Sequence, residues 1–230
     1  MTNNTIVTLQ GLYKRFPAGK GTFTALKDIT LTFGKGEFAG IVGPSGSGKT
    51  TLLNIIGSLD IPSEGTATVL DKKINDLSQK EAAALRNIGI GFIFQTYNLL
   101  PVYTVYENVE FALLLQKISA TERKKRVMES LQWVGLADRA QSKPASLSGG
   151  ECQRVAIARA MVKRPALVLA DEPSANLDSA NSHHIVQTMK QLNKELETTF
   201  LFSTHDEKVM QYLDRIIYLR DGAIEKDELC

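Results

Sequence analysis

The sequence predicts a mixed α/β fold: a core of strands alternating with helices, an antiparallel β subdomain near the start, and a helical insert. Three observations predict it. Apolar and polar residues alternate in TIVTLQ (5–10) and LKDITLTF (26–33), the period of half-buried antiparallel strands. Short apolar runs bounded by glycine or proline then alternate with helical patterns. Between residues 95 and 165 the strand signal stops. With 230 residues, 43% hydrophobic, the chain can bury one domain with a smaller insert.

In chain order, GKGEFAGIVG runs an apolar strand into a glycine loop, and TTLLNIIGSL continues as a helix meeting Gly57 near its end. TATVL and GIGFIF read as short strands around the alanine-rich helix SQKEAAALR. TVYENVEFALLLQK (104–117) and TERKKRVMESLQWVG (121–135) predict two consecutive amphipathic helices, the second closed by Gly135. LSGGECQRVAIARA (147–160) reads as a glycine turn entering a helix. RPALVLADEP restores a strand, SANSHHIVQTMKQLNKEL a helix and TTFLFSTH a strand. RIIYLRDGAIEK predicts a hairpin turning at Asp221-Gly222. The division expected is a single domain, residues 1–95 and 165–230 forming the core and about 96–164 the helical part.

GPSGSGKTT (43–51) matches the phosphate-binding pattern G-x-x-x-x-G-K-[ST], in the strand–loop–helix context it requires. Gly43, Gly46 and Gly48 would let backbone N–H groups turn inward around a phosphate in the loop they form with Pro44, Ser45 and Ser47, with the next helix presenting its positive end. Lys49 adds a full charge, Thr50 a hydroxyl for Mg²⁺, and Thr51 a contact to an α-phosphate. LVLADEP (167–173) is a buried strand ending in two carboxylates that point to opposite sides. Asp171 is then expected in the Mg²⁺ shell, and Glu172 as the base that polarises an attacking water.

These motifs, with LSGGE (147–151), FIFQ ending in Gln95, SANLD (174–178) and STHD containing His205, resemble the ATP-binding subunit of ABC transporters over nearly all of the chain. The resemblance implies a P-loop NTPase, RecA-like core whose helical insert carries the ABC signature. The activity implied is hydrolysis of ATP to ADP and phosphate, with ATP and Mg²⁺ bound. Gln95 would contact Mg²⁺ and the water, and His205 the γ-phosphate; the other reading of His205 is the neighbour of a helix N-cap. Ser148, Gly149, Gly150 and Glu151 would cap the nucleotide of a second subunit in an ATP-bound homodimer, and Asp178 would run along that partner. Phe16, or alternatively Tyr13, would stack on adenine. Glu151 stands where the signature most often has Gln, so its side chain is expected to point away from the nucleotide.

The wording of residues 90–110 and the short length resemble the group serving lipoprotein release and macrolide-type export, implying integral membrane permease subunits as partners. The alternative is an ATP-dependent regulatory or scaffolding partner of a membrane protein; Glu172 and His205 argue for turnover. Tyr97, Leu99, Leu100, Pro101, Tyr103 and Tyr106 form the expected transmission surface, in part core of the insert.

A net charge of +2 gives no reason to expect a nucleic-acid partner, and the run Arg123, Lys124, Lys125, Arg126 reads as a solvated helix face. MTNNTIVTLQ lacks the pattern of a signal peptide, and no apolar run approaches the roughly 20 residues needed to span a bilayer. The location expected is cytoplasmic, peripheral on the inner membrane face. KDEL (226–229) is followed by Cys230 and is read as coincidence. Cys152 and Cys230 lack metal spacing, and the adjacent His183 and His184 do not share a helix face. Cys152 lies in a helix's first turn, which can lower a thiol pKa; the other reading is a buried small side chain.

Overall fold

The computed structural model describes residues 4–19 and 21–230; the first three residues of the start lie outside them. The chain enters through a long antiparallel ribbon, β1 (Thr5–Ala18) and β2 (Gly21–Gly34). Alternation buries Val7 and Leu9 from one strand and Ile29, Leu31 and Phe33 from the other, and a register shift after Leu9 brings Leu12 to the same core. The ribbon is longer than the alternating stretches indicate, because pairing continues through polar residues to Ala18 opposite Gly21. Pro17 is tolerated there, near the tip, where its missing N–H interrupts no central ladder.

Next come β3 (Phe38–Val42), α1 (Lys49–Ile56), β4 (Glu64–Val69) and β5 (Lys72–Lys73). β4 and β5 join the ribbon in a four-stranded sheet of order β2-β1-β4-β5. α2 (Gln79–Gly89) starts at Ser78, whose hydroxyl accepts from the N–H of Glu81 while the Glu81 carboxylate accepts from that of Ser78. β6 (Ile90–Phe94) follows.

No strand occurs among the described residues between β6 and residue 167; that segment holds α3 (Val105–Glu110), α4 (Ala120–Trp133) and α5 (Gly149–Met161). α3 is shorter than the predicted helix over 104–117. It tightens into a 3₁₀ turn at Phe111–Leu113, beyond which Leu114 and Leu115 are 52% and 83% exposed. With no core to cover them, a further helical turn gains no packing to offset its ordering.

The chain ends with β7 (Leu167–Asp171), α6 (Ser179–Leu196), β8 (Thr199–Thr204), α7 (Glu207–Met210), β9 (Arg215–Arg220) and β10 (Ala223–Leu229). Residues 226–229 are thus part of a strand. Asp221 and Gly222 both have positive φ, 48° and 80°, as a type I′ hairpin turn requires. The second sheet has order β10-β9-β3-β8-β7-β6 and is parallel from β9 to β6. Helices and the first sheet cover both faces. Phe200 and Phe202 join one core with α5 and α6, while Leu201 between them joins the other with α1 and the ribbon.

Candidate functional site

The parallel register sets the site. Val42 pairs with Thr204, Ser203 with Asp171 and Asp171 with Phe94, so β3, β8, β7 and β6 end side by side. The next residues of each strand are the 43–48 loop, His205, Glu172 and Gln95. Ligands of open parallel sheets bind outside these carboxyl ends.

The loop's glycines are geometric necessities at two positions. A Cβ at Gly43 would lie 2.0 Å from the carbonyl oxygen of Leu219, and at Gly48, with φ +105°, 2.6 Å from that of Ala25. Gly48 is the N-cap of α1 and supplies no side-chain acceptor, so first-turn N–H groups of α1 are open to an outside anion. Pro44, Ser45 and Gly46 are exposed at the rim. Lys49 is buried; its Nζ donates to the carbonyls of Gly43 (2.7 Å) and Pro44 (3.1 Å), arching over the loop. Ser47 Oγ is buried without a partner. Thr51 lies in the first turn of α1.

The two carboxylates at the end of β7, Asp171 and Glu172, diverge as alternation predicts. Asp171 accepts from Thr50 Oγ1, 3.0 Å from Oδ2 and 3.2 Å from Oδ1. Glu172 Oε1 lies 2.8 Å from His205 Nδ1 and 3.9 Å from Lys49 Nζ. Glu172 has φ 47° and donates its N–H to the carbonyl of Ser203, a left-handed kink that turns its side chain toward the loop. His205 is exposed and stands just before Asp206, which N-caps α7 and accepts from Ser174 Oγ, so it is the neighbour of a helix N-cap. Gln95 is exposed, its carbonyl accepting from Asn176 Nδ2 at 3.0 Å.

A cradle of open N–H groups with a lysine over it suits the phosphates of ATP. A hydroxyl against a carboxylate suits Mg²⁺, which takes few protein ligands and completes its shell with phosphate oxygens and water.

The signature lies apart. Ser148 N-caps α5, accepting from the N–H of Glu151, while the Glu151 carboxylate accepts from the N–H of Ser148. That bond holds the Glu151 carboxyl below the usual range, and Arg139 stands 3.6 Å from it. Among the described residues no hydrogen bond joins 148–151 to the 43–51 loop. Cys152 is buried, and desolvation raises its thiol pKa, so the reading as an activated thiol is corrected in favour of a packed small side chain. Asp178 N-caps α6 and accepts from the backbone and side-chain amides of Asn181.

Phe16 is 37% exposed on the ribbon near its tip, with Lys14 Nζ 5.0 Å from its ring centroid. Tyr13 is half-buried under Arg15, so Phe16 presents more free ring. Phe23 pairs with Phe16 across the ribbon and is 56% exposed; its aromatic character and nearness to the turn are the sequence signals that mark it. Asn176 and Arg159, which no sequence spacing marks, hydrogen-bond the carbonyls of Gln95 and of Tyr97 and Asn98 respectively.

Known proteins share this arrangement. The ABC transporter family matches residues 26–175. The chain is 45% identical over 222 residues to the lipoprotein-releasing system ATP-binding protein LolD of Bacteroides thetaiotaomicron, covering 96% of this chain and 100% of that one. It is 45% identical over 227 residues to the uncharacterized ABC transporter ATP-binding protein MJ0796 of Methanocaldococcus jannaschii, 97% of each chain. A solved dimeric, post-hydrolysis structure of the latter, bound to ADP and Pi, superposes with TM-score 0.90 at 44% identity, over 97% of this chain and 98% of that one. The chain belongs to the ATP-binding, ATP-hydrolysing subunits of ABC transporters.

Proposed function

We propose that ATP is hydrolysed at the carboxyl ends of β3, β7 and β8, with Glu172 as general base. The observation that carries this reading is the convergence of Lys49, Glu172 and His205 on one point beside the glycine cradle. Gly43, Pro44, Ser45, Gly46, Ser47, Gly48, Lys49 and Thr51 bind the phosphates. Thr50, Asp171 and Gln95 hold Mg²⁺, which when bound neutralises charge on the phosphate oxygens. Glu172 takes a proton from the attacking water, and His205, hydrogen-bonded to it, fixes the carboxylate's direction toward the γ-phosphate. Phe16 stacks on adenine, a contact indifferent to base identity.

The partners follow from the same reading. Ser148, Gly149, Gly150 and Glu151 face the nucleotide of a second copy, with Asp178 along the interface, in an ATP-bound homodimer. Support comes from the signature's isolation from its own loop, and from the dimeric structures of the relative. No helix among the described residues is long and apolar enough to cross a membrane, so permease subunits supply the spans and the chain sits peripherally on their cytoplasmic side. The expected transmission surface divides: Leu100, Pro101 and Tyr103 are exposed, whereas Leu99 and Tyr106 pack against the core. The exposed part continues into Phe111, whose ring centroid is 6.5 Å from that of Tyr103, and on to Leu114 and Leu115. Likeness to LolD favours lipoprotein release as the process driven, with macrolide-type export as the related alternative.

The test is Glu172→Gln, which should bind ATP, lose turnover and persist as a dimer in ATP and Mg²⁺ on gel filtration. Wild-type turnover, or a strictly monomeric variant at tens of micromolar, argues against this reading.

A further inference from the structure

We propose that Arg159 is a positioning residue for ATP turnover, tying the loop that carries Gln95 to the signature helix α5 of the same chain. This rests on the role given to Gln95 above. Arg159 Nη1 donates to the carbonyl of Asn98 at 2.5 Å and Nη2 to that of Tyr97 at 2.6 Å. Both acceptors are non-glycine residues in the left-handed region, with φ 56° and 50°. A tyrosine is disfavoured there and an asparagine less so, and two such residues in succession persist only where their surroundings hold them. The forked guanidinium does so by bonding both carbonyls at once, which a single ammonium does less well.

Two further contacts fix the loop on either side of this clamp. Asn176 Nδ2 donates to the Gln95 carbonyl at 3.0 Å. The Tyr97 hydroxyl lies against the signature turn, 2.9 Å from where a Cβ on Gly149 would stand. The 95–98 loop therefore lies along α5, its tyrosine touching the first turn and its carbonyls held from near the last. Burial disfavours the charge on Arg159, with no carboxylate contributing to offset it. The loop carbonyls are the groups that stabilise it.

The experiment is a double-mutant cycle on the full chain, with ATP turnover and the binding of a fluorescent ATP analogue as readouts. Gln95→Ala should lose turnover at least tenfold. Arg159→Met, similar in length but unable to donate, should lose at least fivefold in kcat with analogue affinity within twofold, and Arg159→Lys should recover part of that loss. The decisive expectation is non-additivity: Arg159→Met in the Gln95→Ala background should cost less than twofold more, because the group being positioned is already gone. A general packing role predicts losses that multiply, and that result overturns the proposal. So does turnover within twofold of wild type in Arg159→Met, or a loss of analogue binding as large as the loss of kcat. Unchanged turnover in Gln95→Ala would instead overturn the role of Gln95 itself, and the clamp with it.

Discussion

Two helix starts in this molecule carry glycines, and they are built differently. α1 begins at a left-handed Gly48 with no side-chain cap, so its donors are left open inside a loop closed by Lys49, Glu172 and His205 of the same chain. α5 begins at Ser148 in a complete capping box, with Glu151 bonding back to the Ser148 N–H. The first start is a cradle that surrounds its ligand. The second is a finished helix end that can close only one side of a ligand held elsewhere. On the function proposed above they would be two halves of one site, contributed by different chains.

That contrast can be broken at its strongest point by chemistry at the first start. Glu172→Gln should lower turnover by roughly 10²- to 10⁴-fold, measured as phosphate release, with ATP affinity nearly unchanged. Lys49→Ala should weaken ATP binding by about 10- to 100-fold in a titration with labelled nucleotide, since it deletes a charge-assisted contact of roughly 1.5 to 3 kcal/mol. Ser148→Arg should leave that titration of the monomer unchanged, because no hydrogen bond links the signature to its own loop.

Glycine substitutions sharpen the difference. At Gly43 an added Cβ meets backbone, the carbonyl oxygen of Leu219 at 2.0 Å, so Gly43→Ala should destabilise the fold by about 2 kcal/mol or more in urea. At Gly149 its one close contact is the end of the Tyr97 side chain, at 2.9 Å, with Leu177 Cδ2 at an ordinary 3.8 Å, and Gly149→Ala should cost less than about 1 kcal/mol.

An effect of the opposite sign lies beyond the far end of α5, at Lys163. Burial and the nearby Arg86 pull its pKa down to about 8, and its ammonium donates to the Arg86 carbonyl. The folded chain therefore releases this proton before the unfolded chain does. The penalty for charging it is full below about pH 8 and fades as pH rises toward the ordinary lysine value of 10.5. Lys163→Met should raise stability at pH 7 by on the order of 1 to 2 kcal/mol, allowing for partial solvent access. The gain should shrink between pH 8 and 10 in matched denaturant melts.

The same contrast explains what the sequence disclosed. The strands of the parallel sheet were legible because both faces are buried, leaving runs such as LVLAD with no polar residue before the end. The motif residues at their ends were legible because a strand–loop–helix unit places them by chain connectivity alone. The helical segment was harder. α3 stops at Glu110 because Leu114 and Leu115 face outward, and helical periodicity does not say whether a partner surface waits for them. The Arg159 clamp was invisible, since its partners are backbone carbonyls 61 and 62 residues away, with no side-chain signature. The full length of the ribbon was missed for a similar reason: backbone pairing carries it past the alternating stretch.

The central claim, that each site takes its loop from one chain and its signature from the other, is tested most directly by nucleotide trapping in mixed dimers. A Lys49→Ala chain paired with a Ser148→Arg chain leaves one site with both halves intact and should trap nucleotide. A Lys49→Ala/Ser148→Arg chain paired with wild type leaves no intact site and should trap none. The reverse outcome, trapping in the double-mutant pair and none in the single-mutant pair, would place both halves in one chain and contradict the account.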